Sequence, residues 1–180
     1  MLQRLLILFF IQAICTGLLL TKAEASGFLI HVGPGKKDLP LAIPKPEGQS
    51  AKADLLWNTI RRDLSMTGYF NIIDPDAYID QSGGVAPNSF KFADWRLIKA
   101  AGLAKTSLSA SGDSLQVDLY VYDVHQGQPL LGKRLKANKR SIKKLGHRVA
   151  AHIVKVLTGT ESFFGQTLVA VGEKTGNKEI

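Results

Sequence analysis

Three short clusters in this 180-residue chain carry side chains of the kinds that do chemistry, and spacing decides each of them. Gly33-Pro34-Gly35-Lys36 follows an apolar run, as a phosphate-binding loop does. Such a loop needs a further Gly five positions before Gly35, where Ile30 stands, and a hydroxyl after the Lys, where Lys37 stands. Asp74, Asp76 and Asp80 could ligate calcium in a loop of the EF-hand kind. The turning Gly is replaced by Ile79, and no Glu stands at the twelfth position. His147 and His152 lie five apart, about 140° round a helix from each other, whereas a zinc pair wants a spacing of three or four. No Gly-x-Ser-x-Gly elbow exists. The one cysteine, Cys15, lies in the leader, which leaves no thiol nucleophile, disulfide or thiolate cluster in the processed chain. No catalytic, cofactor-binding or metal-ligating residue follows, and the expectation is a protein that is not an enzyme.

What remains is charge. Lys133, Arg134, Lys136, Lys139, Arg140, Lys143, Lys144, Arg148 and Lys155 accumulate with no acidic residue between Asp123 and Glu161, in a chain with 23 Lys and Arg against 15 Asp and Glu. Such a set is a solvated face or a polyanion-binding one. For an exported protein the anions are phospholipid or lipopolysaccharide headgroups and acidic proteins, so peripheral contact with an anionic envelope is the reading, and nucleic acid is not.

Export is read from the first 25 residues. Arg4 precedes an apolar stretch from Leu5 to Leu20, short for a membrane-spanning helix, and Ala23-Glu24-Ala25 is a small-x-small triplet suited to signal peptidase. The expectation is a signal peptide over 1–25, cleaved after Ala25, and a periplasmic domain over 26–160.

The elements that must position everything else follow from periodicity. Phe28-Leu29-Ile30-His31-Val32 reads as a short strand, and Lys36 to Gly48, with Pro40, Pro44 and Pro46, as an extended linker. Leu55, Leu56, Ile60 and Leu64 predict a helix over about 51–67 capped by Ser50, with Arg61, Arg62 and Asp63 mostly outward. A strand at Phe70–Ile73, a Pro/Gly/Asp-rich loop to Asn88 and a helix over about 91–101 come next. From Leu103 to Ala137 the period changes to two, with turns at Ser111-Gly112-Asp113 and His125-Gln126-Gly127. That is an antiparallel meander with Lys105, Ser107 and Ser109 opposite its apolar row. Ile142, Leu145, Val149, Ile153, Val156 and Leu157 form one helical stripe that ends at Gly159 and can cover it. The predicted fold class is α/β of the α+β type: a mixed sheet with a three-stranded meander under helices. Residues 163–171 and 178–180 then read as strands of an opening hairpin.

Several of these segments also resemble a known family. Leu41-Ala42-Ile43-Pro44, Asp63-Leu64-Ser65-Met66-Thr67-Gly68-Tyr69-Phe70, Phe92-Ala93-Asp94-Trp95, Leu119-Tyr120-Val121-Tyr122-Asp123-Val124 and Leu157-Thr158-Gly159 are similar, in order, to motifs of the TolB amino-terminal domain of the Tol-Pal envelope system. The resemblance implies an anticodon-binding-like α/β domain, followed in full-length members by a β-propeller, so that 161–180 resembles the start of a truncated first blade. It implies a TolA-like partner, bound through Phe28, Leu29, Ile30, His31 and Val32 and the extended Pro40, Leu41, Ala42, Ile43 and Pro44, which can add to a sheet edge through their backbone. The peptidoglycan-associated lipoprotein, a ligand of the propeller, is not expected as a partner here.

Overall fold

The computed structural model describes residues 39–46, 51–80, 82–164, 172–173 and 178–179. The predicted signal peptide, the strand over Phe28–Val32, the Ser50 cap and most of the predicted strand 163–171 lie outside the described residues.

A five-stranded mixed sheet runs in the order β2-β1-β3-β4-β5. Its strands are β1 (Leu39–Ala42), β2 (Phe70–Ile72), β3 (Gly102–Ser111), β4 (Ser114–Asp123) and β5 (Gln128–Asn138). β1 pairs in parallel with both β2 and β3, while β3, β4 and β5 form the expected antiparallel meander. The two meander turns use Gly112 and Gly127 at positive φ, which residues with a Cβ adopt only at a cost.

Two helices cover one face: α1 (Ala51–Met66) and α3 (Ile142–Thr158). The shorter α2 (Phe92–Leu97) lies in the long connection between β2 and β3. The alternating row Leu115, Val117, Leu119 and Val121 of β4 packs against the stripe Leu145, Val149, Ile153 and Leu157 of α3 and against Leu56, Ile60 and Leu64 of α1. α3 stops where Gly159 takes a left-handed conformation and donates to the Lys155 carbonyl at 2.9 Å. Beyond it, β6 (Gly172–Glu173) and β7 (Lys178–Glu179) pair antiparallel.

Three expectations need correction. The stretch read as an extended linker contains an interior strand: Leu39, Leu41, Ala42 and Ile43 are buried, with neighbours on both sides of β1. Pro40 is tolerated there because the ladder to β3 begins one residue later, at Leu41↔Gly102, so its missing N–H interrupts no rung. The second helix is shorter than predicted. After Leu97 the chain bends through Lys99 at φ 60, seats Ala100 in the core and lets the Ala101 amide reach the Pro40 carbonyl at 2.9 Å to enter β3. Asp63, expected outward, is buried, because its side of α1 faces α3 rather than water.

Candidate functional site

The sheet face away from α1 and α3 is covered at one end by the connection between β2 and β3. Trp95 and Ala100 join Leu103, Tyr122 and Val124 there, with Tyr78, Phe90 and Phe92 packed around them. Phe90 and Phe92 meet Tyr122 edge-on, with centroids 5.2 and 5.6 Å away, the geometry that the ring quadrupoles favour. The Tyr122 hydroxyl donates to the Val85 carbonyl, and burial, then the neighbouring Tyr120, pushes its pKa up to about 12.

Under this cover sits an ion pair that alternation in β3 does not announce. Lys105 donates to Asp80 Oδ2 at 3.4 Å and to the Ser82 carbonyl at 2.9 Å, and it lies over the Phe90 ring, 4.4 Å from the centroid. Trp95 Nε1 donates to the same carboxylate oxygen at 3.1 Å, and the Ser82 amide donates to the other at 2.8 Å. Burial alone raises the Asp80 pKa, but hydrogen bonding from Ser82 and the charge of Lys105 outweigh it and hold the carboxyl below its ordinary value. Asp80 is therefore a structural carboxylate. Of its predicted companions, Asp74 accepts from the Asp76 amide at 3.0 Å in a local turn, and no group of three or more metal-type ligands exists among the described residues.

Beside this pair, at the carboxyl ends of the parallel strands, an open groove of about 360 Å³ is lined by Pro44, Trp57, Pro75, Tyr78 and Asp80, among others. Its walls hold the end of β1. Trp57 Nε1 donates to the Ile43 carbonyl at 2.8 Å, and the Tyr78 hydroxyl accepts from the Ile43 amide at 2.9 Å while donating to the Ile73 carbonyl at 3.1 Å. The indole and phenol groups that line the groove are thus committed to holding β1 and the chain after β2.

The basic residues do not share one face. Arg134 and Lys136 stand on the sheet face away from the helices, opposite Asp118 and Gln116, and Arg134 forks onto Asp118 at 2.6 and 3.2 Å. Lys133 is on the helix side, opposite Leu119, beside the α3 stripe of Arg148, His152 and Lys155. Lys139 and Arg140 form a single turn before α3, and Lys143 and Lys144 occupy its first turn, where no acidic residue offsets the helix dipole. His147, read as an ordinary helix residue, meets buried Asp63 at 2.5 Å across the α1–α3 joint. That contact has no sequence signal, since the partners lie 84 residues apart.

Of the predicted partner-binding segment, Pro40 is half-buried, and Leu41, Ala42 and Ile43 are buried in β1 and its continuation. Pro44 lines the groove. Phe28 to Val32 lie outside the described residues.

Comparison with known proteins bears on this arrangement. The family described as the TolB amino-terminal domain matches residues 30–130. A Tol-Pal system protein TolB of Anaeromyxobacter dehalogenans is 30% identical over 162 residues, which is 88% of this chain and 37% of the relative. A TolB homolog of Chlorobium luteolum is 31% identical over 153 residues, 82% of this chain and 34% of that one. The chain thus spans about a third of the length of these relatives. A crystal structure of TolB from Acinetobacter baumannii superposes with a TM-score of 0.59 at 23% identity, covering 71% of this chain and 30% of that one, which shows the same fold. The mixed sheet, its two covering helices and the matched residues together establish that this chain belongs to the TolB amino-terminal domain family.

Proposed function

We propose that the chain is a non-enzymatic interaction domain of the Tol-Pal envelope system, working in the periplasm after loss of its first 25 residues. On this reading it serves outer-membrane integrity and cell division by binding a TolA-like protein through the segment around Phe28–Val32. Family membership carries the reading. The fold supports placing the contact ahead of Leu39. Both edges of β1 are occupied by β2 and β3, so the Leu39–Ala42 backbone is already paired, and the residues from Pro40 to Pro44 anchor the segment before them. Among the described residues no helix is long and apolar enough to cross a membrane.

The test is capture by the carboxy-terminal domain of a TolA-like protein. A chain lacking 26–38 should lose capture while keeping its folded-state circular dichroism, and equal capture by both chains would overturn the reading. Removing 26–44 is not informative, because it also takes away β1 from the middle of the sheet. The second reading, an envelope-polyanion surface over Lys133–Lys155, has less support as a planar headgroup contact, since Arg134 and Lys136 point away from Lys133 and α3.

A further inference from the structure

β5 runs for 11 residues at one edge of the sheet, and among the described residues no strand pairs with its outer side. Pro129 and a register shift opposite Val121 and Tyr122 interrupt its start, and the regular part from Leu131 to Asn138 is a ledge of roughly 26 Å at about 3.3 Å per residue. An edge of that length invites pairing, and proteins commonly protect it with charge. Here the protection has one sign on both faces. Lys133 is exposed on the helix side, next to Arg148, which reaches over to donate to the Lys136 carbonyl at 3.0 Å. Arg134 and Lys136 are exposed on the opposite side, where Arg134 pairs with Asp118 and Lys136 lines a shallow pocket with Asp113. Two copies of this edge brought together would set like charges against each other. A strand bearing carboxylates would meet cations on whichever face its side chains took.

We propose that the outer edge of β5 is a docking site for an acidic, extended protein segment, which adds to the sheet as a sixth strand. Backbone hydrogen bonds to β5 supply pairing, and Lys133, Arg134, Lys136 and Arg148 supply selectivity for alternating carboxylates. The surface is separate from the segment proposed to bind a TolA-like protein, so either can fail without the other.

The test uses the full chain and a fluorescent acetyl-(Val-Glu)4-amide peptide, with a (Val-Lys)4 peptide and a block peptide of four Val followed by four Glu as controls. The alternating acidic peptide should bind at low salt, weaken as salt rises, and slow amide exchange along 128–138. Lys133→Glu with Lys136→Glu should weaken binding roughly tenfold or more, while the exposed pair Lys52→Glu with Lys91→Glu, equal in charge change, should not. Equal binding of the block peptide, or binding without protection of β5, overturns strand addition. Capture of phosphatidylglycerol vesicles without the peptide, lost in the β5 variant, assigns the surface to headgroups instead. Self-association that excludes the peptide gives the edge to a second copy and equally overturns the proposal.

Discussion

The ammonium of Lys105 lies 3.4 Å from a carboxylate oxygen of Asp80, and the two side chains are only 3% and 7% exposed. One comes from a sheet strand and the other from the connection that covers it, so this pair fastens the aromatic cover to β3. Removing one partner of such a pair leaves an unpaired buried charge, a much larger penalty than the net worth of the pair itself. Lys105→Met should therefore cost about 3 kcal/mol in urea denaturation. Replacing both partners by apolar residues should recover much of that loss. A cost under about 0.5 kcal/mol for the single change, typical of an exposed pair, would show that the contact fastens nothing.

The same carboxylate gives a pH dependence with a definite sign. The Asp80 pKa is held below its ordinary 3.8 in the folded chain, so the stabilisation is fully present above the unfolded value and is lost as pH falls through the folded one. Stability should thus be flat with respect to this group above about pH 5 and fall below about pH 4. Asp80→Asn should flatten that acid limb of the stability curve, and an unchanged acid limb would assign it to other carboxylates.

The meander, its glycine turns and the α3 stripe were legible because each is written in a local period: Leu115 to Val121 alternate by two, and Leu145 to Leu157 recur at helical spacing. Lys105 was not legible. Alternation puts it on the face away from the helices, which reads as solvent. Only the connection through Asp80 and Trp95, more than 20 residues upstream at Asp80, turns that position into an interior one. β1 was half legible. Three prolines announce an extended chain, but its parallel partners, Phe70–Ile72 and Gly102–Leu103, lie tens of residues away and leave no mark on its own residues. The Asp63–His147 contact is hidden for the same reason, and Asp63 reads as one more charge on a surface helix.

The α1–α3 joint depends on the absence of a side chain at Gly146. A Cβ there would sit 2.9 Å from Thr59 Cβ and Cγ2 and 3.5 Å from the Leu56 carbonyl. Alanine elsewhere in a helix gains about 1 kcal/mol over glycine. At this position the clash should reverse the sign, with Gly146→Ala destabilising by about 1–3 kcal/mol. Adding Thr59→Ser removes one of the two clashing atoms and should restore part of the loss, and a stabilised Gly146→Ala chain would mean that the helices can simply separate.

Tyr122 gives an alkaline signature. Its pKa is raised to about 12, so the folded chain holds this phenolic proton when the unfolded chain, near 10, releases it. The associated stability is present below pH 10 and is lost between about pH 10 and 12. Ultraviolet titration should show one fewer late phenol in Tyr122→Phe than in the parent, the remaining one being Tyr78, whose pKa burial also raises. That change also leaves the Val85 carbonyl without its donor and should cost about 1–2 kcal/mol at neutral pH.

His152 reports on the charge beside β5. Burial, then Lys133, Arg148 and Lys155, lower its pKa below the ordinary 6.5, and Glu161 works in the opposite direction. Below pH 6.5 the unfolded chain binds a proton that the folded chain resists, so stability should fall as pH drops from about 7 toward 5, and His152→Gln should remove that part of the slope. Lys133→Met takes away the largest of these neighbouring charges on His152 and should move its titration upward in an NMR pH series, as should an acidic peptide seated on the edge. If both leave the titration where it is, burial alone sets the value and the basic side chains around β5 act independently of one another.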